Sequence, residues 1–136
     1  MFEALIREAE ETPPIDPEAF YAHAYALYQS GKTADASEVF QVLCVKYPLE
    51  SRFWCGLAAS CQENANYDKA LRSWAMSALL DPENPYPHFH AAECATSLNQ
   101  KEDALLALEE AKSLIKSDTH SLAPSITALE ERWRNT

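Results

Sequence analysis

Glycine is nearly missing from this chain, with two residues among 136, against eight prolines. A β-sandwich with many tight turns needs more, and so does a glycine-rich loop that cradles phosphate. Basic residues are also scarce: 11 Lys and Arg face 21 Asp and Glu, for a net charge of −10. Such a surface repels phosphate, so neither nucleic acid nor an anionic membrane surface is expected as a partner. No apolar stretch approaches the roughly 20 residues that cross a bilayer, and no membrane insertion is expected. The opening MFEALIREAEE has no basic segment leading into an apolar one, and is not expected to act as a secretory signal. Cys44, Cys55, Cys61 and Cys94 make no Cys-x-x-Cys pair. A chain this long buries a core without covalent staples, so these thiols are expected to be reduced, as in a cytosolic compartment.

What is present is ordinary globular composition, 47% hydrophobic and 24% charged, in a length that fits one domain. The charge is uneven. Residues 1–18 hold six acids (Glu3, Glu8, Glu10, Glu11, Asp16, Glu18) against Arg7 alone.

Sliding the sequence against itself brings out one offset, 34 residues. Ala24, Ala58 and Ala92 share it, as do Ala36, Ala70 and Ala104. Phe40, Trp74 and Leu108 follow the same step, and so do Gly31, Ala65 and Asn99. Pro48 and Pro82 complete the pattern, with Lys116 breaking that column. This period marks the tetratricopeptide repeat, a helix–turn–helix unit. Three units are expected, over 17–50, 51–84 and 85–118. The alanine columns are where paired helices cross, since helices approach to about 8 Å only over small residues. Phe40 and Trp74 are the large side chains that fill the space between units. Pro48 and Pro82 stop the second helix of their units.

The expected fold is therefore all-α, a superhelix of three repeats with a short acidic helix at about 2–11 and a capping helix after 118. Thr12-Pro13-Pro14 ends the first helix, and residues 1–16 form the lead. Asp16 is a good N-cap with Pro17 following. Helices are expected near 17–30, 33–46, 51–64, 67–80, 85–98 and 101–116. Within 119–136, Leu122, Ile126, Leu129 and Trp133 are spaced four, three and four apart, which predicts a helix over 121–134 that closes the stack.

In stacked units the first helices line the concave side. The second, fifth, ninth and twelfth columns face it: Glu18, Tyr21, Tyr25 and Tyr28; Arg52, Cys55, Ala59 and Gln62; Tyr86, Phe89, Glu93 and Thr96. The three tyrosines lie at i, i+4 and i+7, a stripe beside the core columns Phe20, Ala24 and Leu27. Tyrosine suits a peptide-binding surface, with a large apolar face, few rotamers to lose and a hydroxyl for peptide carbonyls.

The stretches Leu27–Lys32 (LYQSGK), Val39–Val45 (VFQVLCV), Ser51–Leu57 (SRFWCGL) and Phe89–Cys94 (FHAAEC) resemble the class II chaperones of bacterial type III secretion, the SycD/LcrH-like group. The likeness covers about residues 17–118. It implies a cytoplasmic bacterial chaperone, all-helical with three repeats, that binds a hydrophobic translocator protein. A short extended client segment with proline and apolar anchors would lie in the concave groove and be kept soluble and export-competent. A secreted effector is the other client the resemblance allows. Tyr21, Tyr25 and Tyr28 match the family's aromatic groove residues, and Lys46 falls where relatives carry a groove residue on the second helix. The family's N-terminal helix makes dimer contacts, which implies a homodimer through the counterpart at 2–11. Thr33 stands where the family usually has tyrosine, and Ala65 and Asn99 where turn glycines are usual. The expected client-binding set is Tyr21, Tyr25, Tyr28, Lys46, Cys55, Ala59, Gln62, Tyr86, Phe89 and Glu93.

Catalytic and metal chemistry find little footing. His88 and His90 are two apart on a helix and face away from each other, although His90 and Cys94 share a face. His23 reads as a partly buried packing residue. No nucleophile elbow or convincing Cys–His pair occurs, so neither an enzyme nor a bound cofactor is expected. Glu109-Glu110 and Glu130-Glu131 read as solvated surface. A repeat adaptor for the acidic tail of a heat-shock protein would need Lys, Arg and Asn in the groove, where Tyr21, Tyr25, Cys55 and Ala59 stand. A general adaptor or regulatory scaffold binding another protein's peptide remains as the alternative function.

Overall fold

The computed structural model describes residues 14–135 together with Glu3, Ala4 and Arg7. Those three early positions are helical; the rest of the helix expected at 2–11, and the dimer contact placed on it, lie outside the described residues.

Seven further helices follow, with no strand among the described residues: α1 (Pro17–Gln29), α2 (Thr33–Lys46), α3 (Ser51–Glu63), α4 (Tyr67–Leu80), α5 (Tyr86–Ser97), α6 (Lys101–Leu114) and α7 (Ala123–Arg134). Their bounds fall within two residues of those read from the sequence. Local chemistry sets them. The Asp16 carboxylate accepts from the amides of Glu18 (3.1 Å) and Ala19 (3.3 Å), which caps α1 with Pro17 just inside. Pro48 and Pro82 lie two residues beyond the ends of α2 and α4.

The turn inside each hairpin repeats one geometry. Gly31, Ala65 and Asn99 have φ of 84°, 60° and 58°. The next amide in each case reaches back to the helix: Lys32 to Leu27 O (2.9 Å), Asn66 to Cys61 O (2.8 Å) and Gln100 to Ala95 O (2.8 Å). That is a Schellman closure, which satisfies carbonyls the helix end leaves open. Left-handed backbone costs a residue with Cβ about 1–2 kcal/mol, and Ala65 and Asn99 carry it because the packed helices on either side hold the turn.

Helices α1 to α6 pack each on the next, α7 packs on α6, and α1 also touches α3. The six alanines of the two crossing columns are all fully buried. Phe40, Trp74 and Leu108 are buried between hairpins. The buried side chains sort into groups. One runs from Ala24 through Phe40, Phe53, Leu57 and Trp74 to Cys94. A second joins Phe89 and Ala92 to Leu108, Ala111, Leu122 and Ile126, and a third holds Trp133 against Ala95 and Ala104. The Trp133 indole N–H donates to Thr96 Oγ1 at 3.0 Å. Cys44, Cys61 and Cys94 are buried and all four thiols are free. Burial pushes the Cys44 and Cys94 thiols up to about 12, so they act as small apolar side chains.

His23 departs from its expected place and is exposed. Its column mates 34 and 68 residues on, Leu57 and Ala91, pack into the core against the preceding hairpin. Among the described residues no hairpin precedes α1 to cover His23.

Candidate functional site

The stripe Tyr21, Tyr25 and Tyr28 and the facing positions Cys55, Gly56 and Ala59 wall an open cleft of about 570 Å³ between α1 and α3. Phe40 and Trp74 form its floor, and Glu50, Ser51, Arg52, Asp81 and Asn84 its edge at the inter-hairpin loops. The tyrosines are held but not sealed in. The Tyr21 ring lies 6.0 Å from Phe40 and 5.6 Å from Phe53, and Tyr25 stands 6.1 Å from Tyr21 with 48% of its surface exposed. Partial burial raises the Tyr21 and Tyr28 phenols above their ordinary range, so both stay neutral donors at physiological pH. The Arg52 guanidinium lies 5.0 Å over the Tyr21 ring and 4.7 Å over Phe53. It bonds both oxygens of the Glu18 carboxylate and sits 3.6 Å from Glu50. The Cys55 thiol is 2.9 Å from the Ser77 hydroxyl, which seats it in the cleft wall.

One small residue opens the cleft. A Cβ on Gly56 would lie 2.2 Å from the Phe40 ring carbon Cε1. Without it, the ring lies flat against α3 and leaves the space above it free. The same place one repeat later is shut. His90 stands 34 residues after Gly56, and Trp74 34 after Phe40. There the His90 ring stacks on Trp74 at 4.8 Å and 26°. His90 Nδ1 donates to Glu93 Oε1 at 2.6 Å, and Gln62 Nε2 donates to that oxygen at 3.2 Å. Gln62 Oε1 in turn accepts from the Trp74 indole at 2.9 Å. A stack ringed by polar bonds replaces the opening, and the aromatic cleft ends there.

Five of the ten expected residues meet in the cleft: Tyr21, Tyr25, Tyr28, Cys55 and Ala59. Gln62 and Glu93 belong instead to a smaller polar hollow of about 420 Å³ with Glu63, Tyr67 and Arg132. Tyr86 is exposed beside α7, its hydroxyl 2.6 Å from Ser121 Oγ. Lys46 is half-buried at the end of α2 and is not part of the cleft lining. Phe89 needs correction. It is 7% exposed and buried with Leu122 and Ile126, because the capping segment covers the face that the fifth column leaves open in earlier units. Thr96, also read as facing the groove, is buried and taken by Trp133. Sequence reasoning missed Phe40, Gly56 and Trp74 as cleft-formers. The signal available was Gly56 itself, one of only two glycines, placed inside a helix where it costs about 1 kcal/mol relative to alanine.

Glu93 gives the polar ring a pH dependence. Burial acts to raise its carboxyl, but the hydrogen bonds from His90 and Gln62 and the charge of His90 outweigh that and hold it below 4.5. A depressed carboxyl contributes stability above its unfolded value, and that contribution is lost as pH falls through the folded value. The melting midpoint is therefore expected to fall on acidification below about pH 4.5. In Glu93→Gln that fall should be smaller, by an amount visible in melts at half-unit steps from pH 6 to pH 3. Identical profiles would remove the carboxylate from the acid transition. Among the described residues no group of three or more His, Cys, Asp or Glu side chains is placed to hold a metal ion. No described helix is long and apolar enough to cross a membrane.

Helical hairpins stacked at a 34-residue step define a tetratricopeptide-repeat protein, and that repeat family matches residues 17–45 and 51–84. The Low calcium response locus protein H of Yersinia pestis is 38% identical over 116 residues, 84% of this chain and 69% of that one. The Yersinia enterocolitica type III secretion chaperone SycD, solved with a peptide of the translocator YopD, superposes with a TM-score of 0.81 at 37% identity, over 87% of this chain and 92% of that chain. PcrH, a Pseudomonas aeruginosa protein solved with the chaperone-binding region of PopD, gives 0.80 at 33% identity over 87% and 90%. The chain belongs to the family of type III secretion chaperones that holds SycD and Low calcium response locus protein H.

Proposed function

We propose that this protein is a bacterial cytoplasmic chaperone that takes an extended segment of a hydrophobic translocator into the cleft between α1 and α3. The units 17–50, 51–84 and 85–118, with the cap at 119–136, act as the frame that holds this cleft open. The observation that carries the reading is the tyrosine stripe standing partly exposed over Phe40 and Trp74. Its solved relatives support it, SycD having been crystallised with a YopD peptide and PcrH with the chaperone-binding region of PopD. Tyr21, Tyr25, Tyr28, Cys55 and Ala59 receive the apolar anchors, and Gln62 and Glu93 meet the segment where it leaves over the polar hollow.

Each anchor covering about 100 Å² of apolar surface contributes about 2.5 kcal/mol before ordering costs. Three or four such anchors supply about 7.5–10 kcal/mol before those costs, so the net affinity is micromolar, about −8 kcal/mol, at best, which suits a chaperone that has to release its client. The test is Tyr25→Ala with Tyr28→Ala, titrated by fluorescence anisotropy with a labelled peptide of the PopD chaperone-binding region. Affinity is expected to fall at least tenfold while helicity is kept. Equal affinity would sink the cleft assignment, and so would a melt that collapses, since these rings would then be core.

A further inference from the structure

The charges around the cleft are arranged unevenly, and they say what should flank the anchors. Arg52 is the one Lys or Arg among the lining residues. It is already spent: Glu18 binds it through both oxygens, Glu50 lies at 3.6 Å, and the guanidinium is laid across Tyr21 and Phe53. That trio carries a net negative charge. Beside it Asp81 is exposed, takes a hydrogen bond from the Asn84 side chain at 3.1 Å, and forms no ion pair among the described residues. Past Ala59, Glu63 lines the neighbouring polar hollow and acts to raise the Tyr28 phenol. An apolar trough thus opens beside carboxylates with no cation but Arg52 among its described lining residues, in a chain of net charge −10.

We propose that the cleft selects segments whose apolar anchor is flanked by lysine or arginine, the cationic residue lying against Asp81 and Glu50, and that it rejects segments with acidic flanks. This rests on the peptide-binding reading above and adds charge selection to it. An incoming carboxylate meets Glu50 and Asp81, and finds in Arg52 a charge that Glu18 and Glu50 already offset. A cation meets carboxylates without displacing anything. Complementarity of this kind sets specificity and encounter rate more than total affinity. It is exposed to solvent, so added salt weakens it.

The test uses the full chain and the PopD chaperone-binding peptide in three versions, with the residues flanking its apolar anchors replaced by lysine, glutamine or glutamate. Anisotropy titrations at 50 mM salt should place the lysine version at least tenfold tighter than the glutamate version, with glutamine between them. The gap should shrink at 300 mM salt. It should narrow to threefold or less in Asp81→Asn combined with Glu50→Gln, read as the ratio of the lysine to the glutamate version within that variant. Equal binding of the three versions overturns the charge selection and leaves the cleft reading standing. Tighter binding of the glutamate version overturns it too, by showing that Arg52 is available to the ligand. Failure of all three to bind removes the cleft reading and this inference with it.

Discussion

Replacing Trp133 by alanine is expected to cost about 3–5 kcal/mol, the usual loss for deleting a buried tryptophan. The indole is 7% exposed, lies against Ala95 and Ala104, and donates to Thr96. No residue behind it can collapse into the space, because its neighbours are alanines that let the helices meet. Thr96 keeps a partner in Ala92 O at 2.8 Å, so the loss is packing more than an orphaned hydroxyl. Against a total of about 5–15 kcal/mol for a domain, this is a large fraction. The melting midpoint should drop by roughly 10 °C or more. Thermal unfolding followed by circular dichroism and by the remaining tryptophans, Trp54 and Trp74, checks it. A midpoint within 2 °C of the parent would show that the cap is not held by this side chain. Affinity for the PopD peptide should stay within threefold, since the cleft rests on the other group of buried residues.

The second large effect is expected from the smallest possible change, Gly56→Ala. Helix propensity alone favours the variant by about 1 kcal/mol. The added methyl would sit 2.2 Å from Phe40 Cε1 and 2.5 Å from its Cδ1 and Cζ, which no contact tolerates. Overpacking a core typically costs about 1–3 kcal/mol, so the clash wins. Phe40 has α3 behind it and the cleft in front, and the ring swings toward the cleft. Stability should therefore fall modestly, by about 1–2 kcal/mol, while peptide affinity falls at least tenfold because the floor of the site rises. Adding Phe40→Leu should recover most of the stability. A variant that melts higher and binds as before would show that Gly56 does not hold the cleft open.

These two positions also mark how far the sequence can be read. The alanine columns, the turn column Gly31/Ala65/Asn99 and the prolines are local or periodic signals, and the helices they predict are present. The tyrosine stripe was legible because helix geometry puts i, i+4 and i+7 on one face. Phe89 and Thr96 leave the groove because equal columns do not have equal surroundings. The third hairpin meets α7, not a fourth repeat, so the same column is buried there. His23 failed in the opposite sense, at the end where no described hairpin covers it. The contrast between Gly56 and His90 depends on what lies across the junction, Phe40 or Trp74, and that pairing is visible only once the register between hairpins is known.

The division of the buried side chains has a consequence for how this molecule yields. The large group spans α1 to α5, the other two lie among α5, α6 and α7 with Leu122, and α5 is the one helix common to both sides. A joint carried by a single shared rod is a seam. The last two helices can loosen along it as one foldon while the tyrosine trough keeps its shape, so grip on a client and integrity of the far end are separately adjustable.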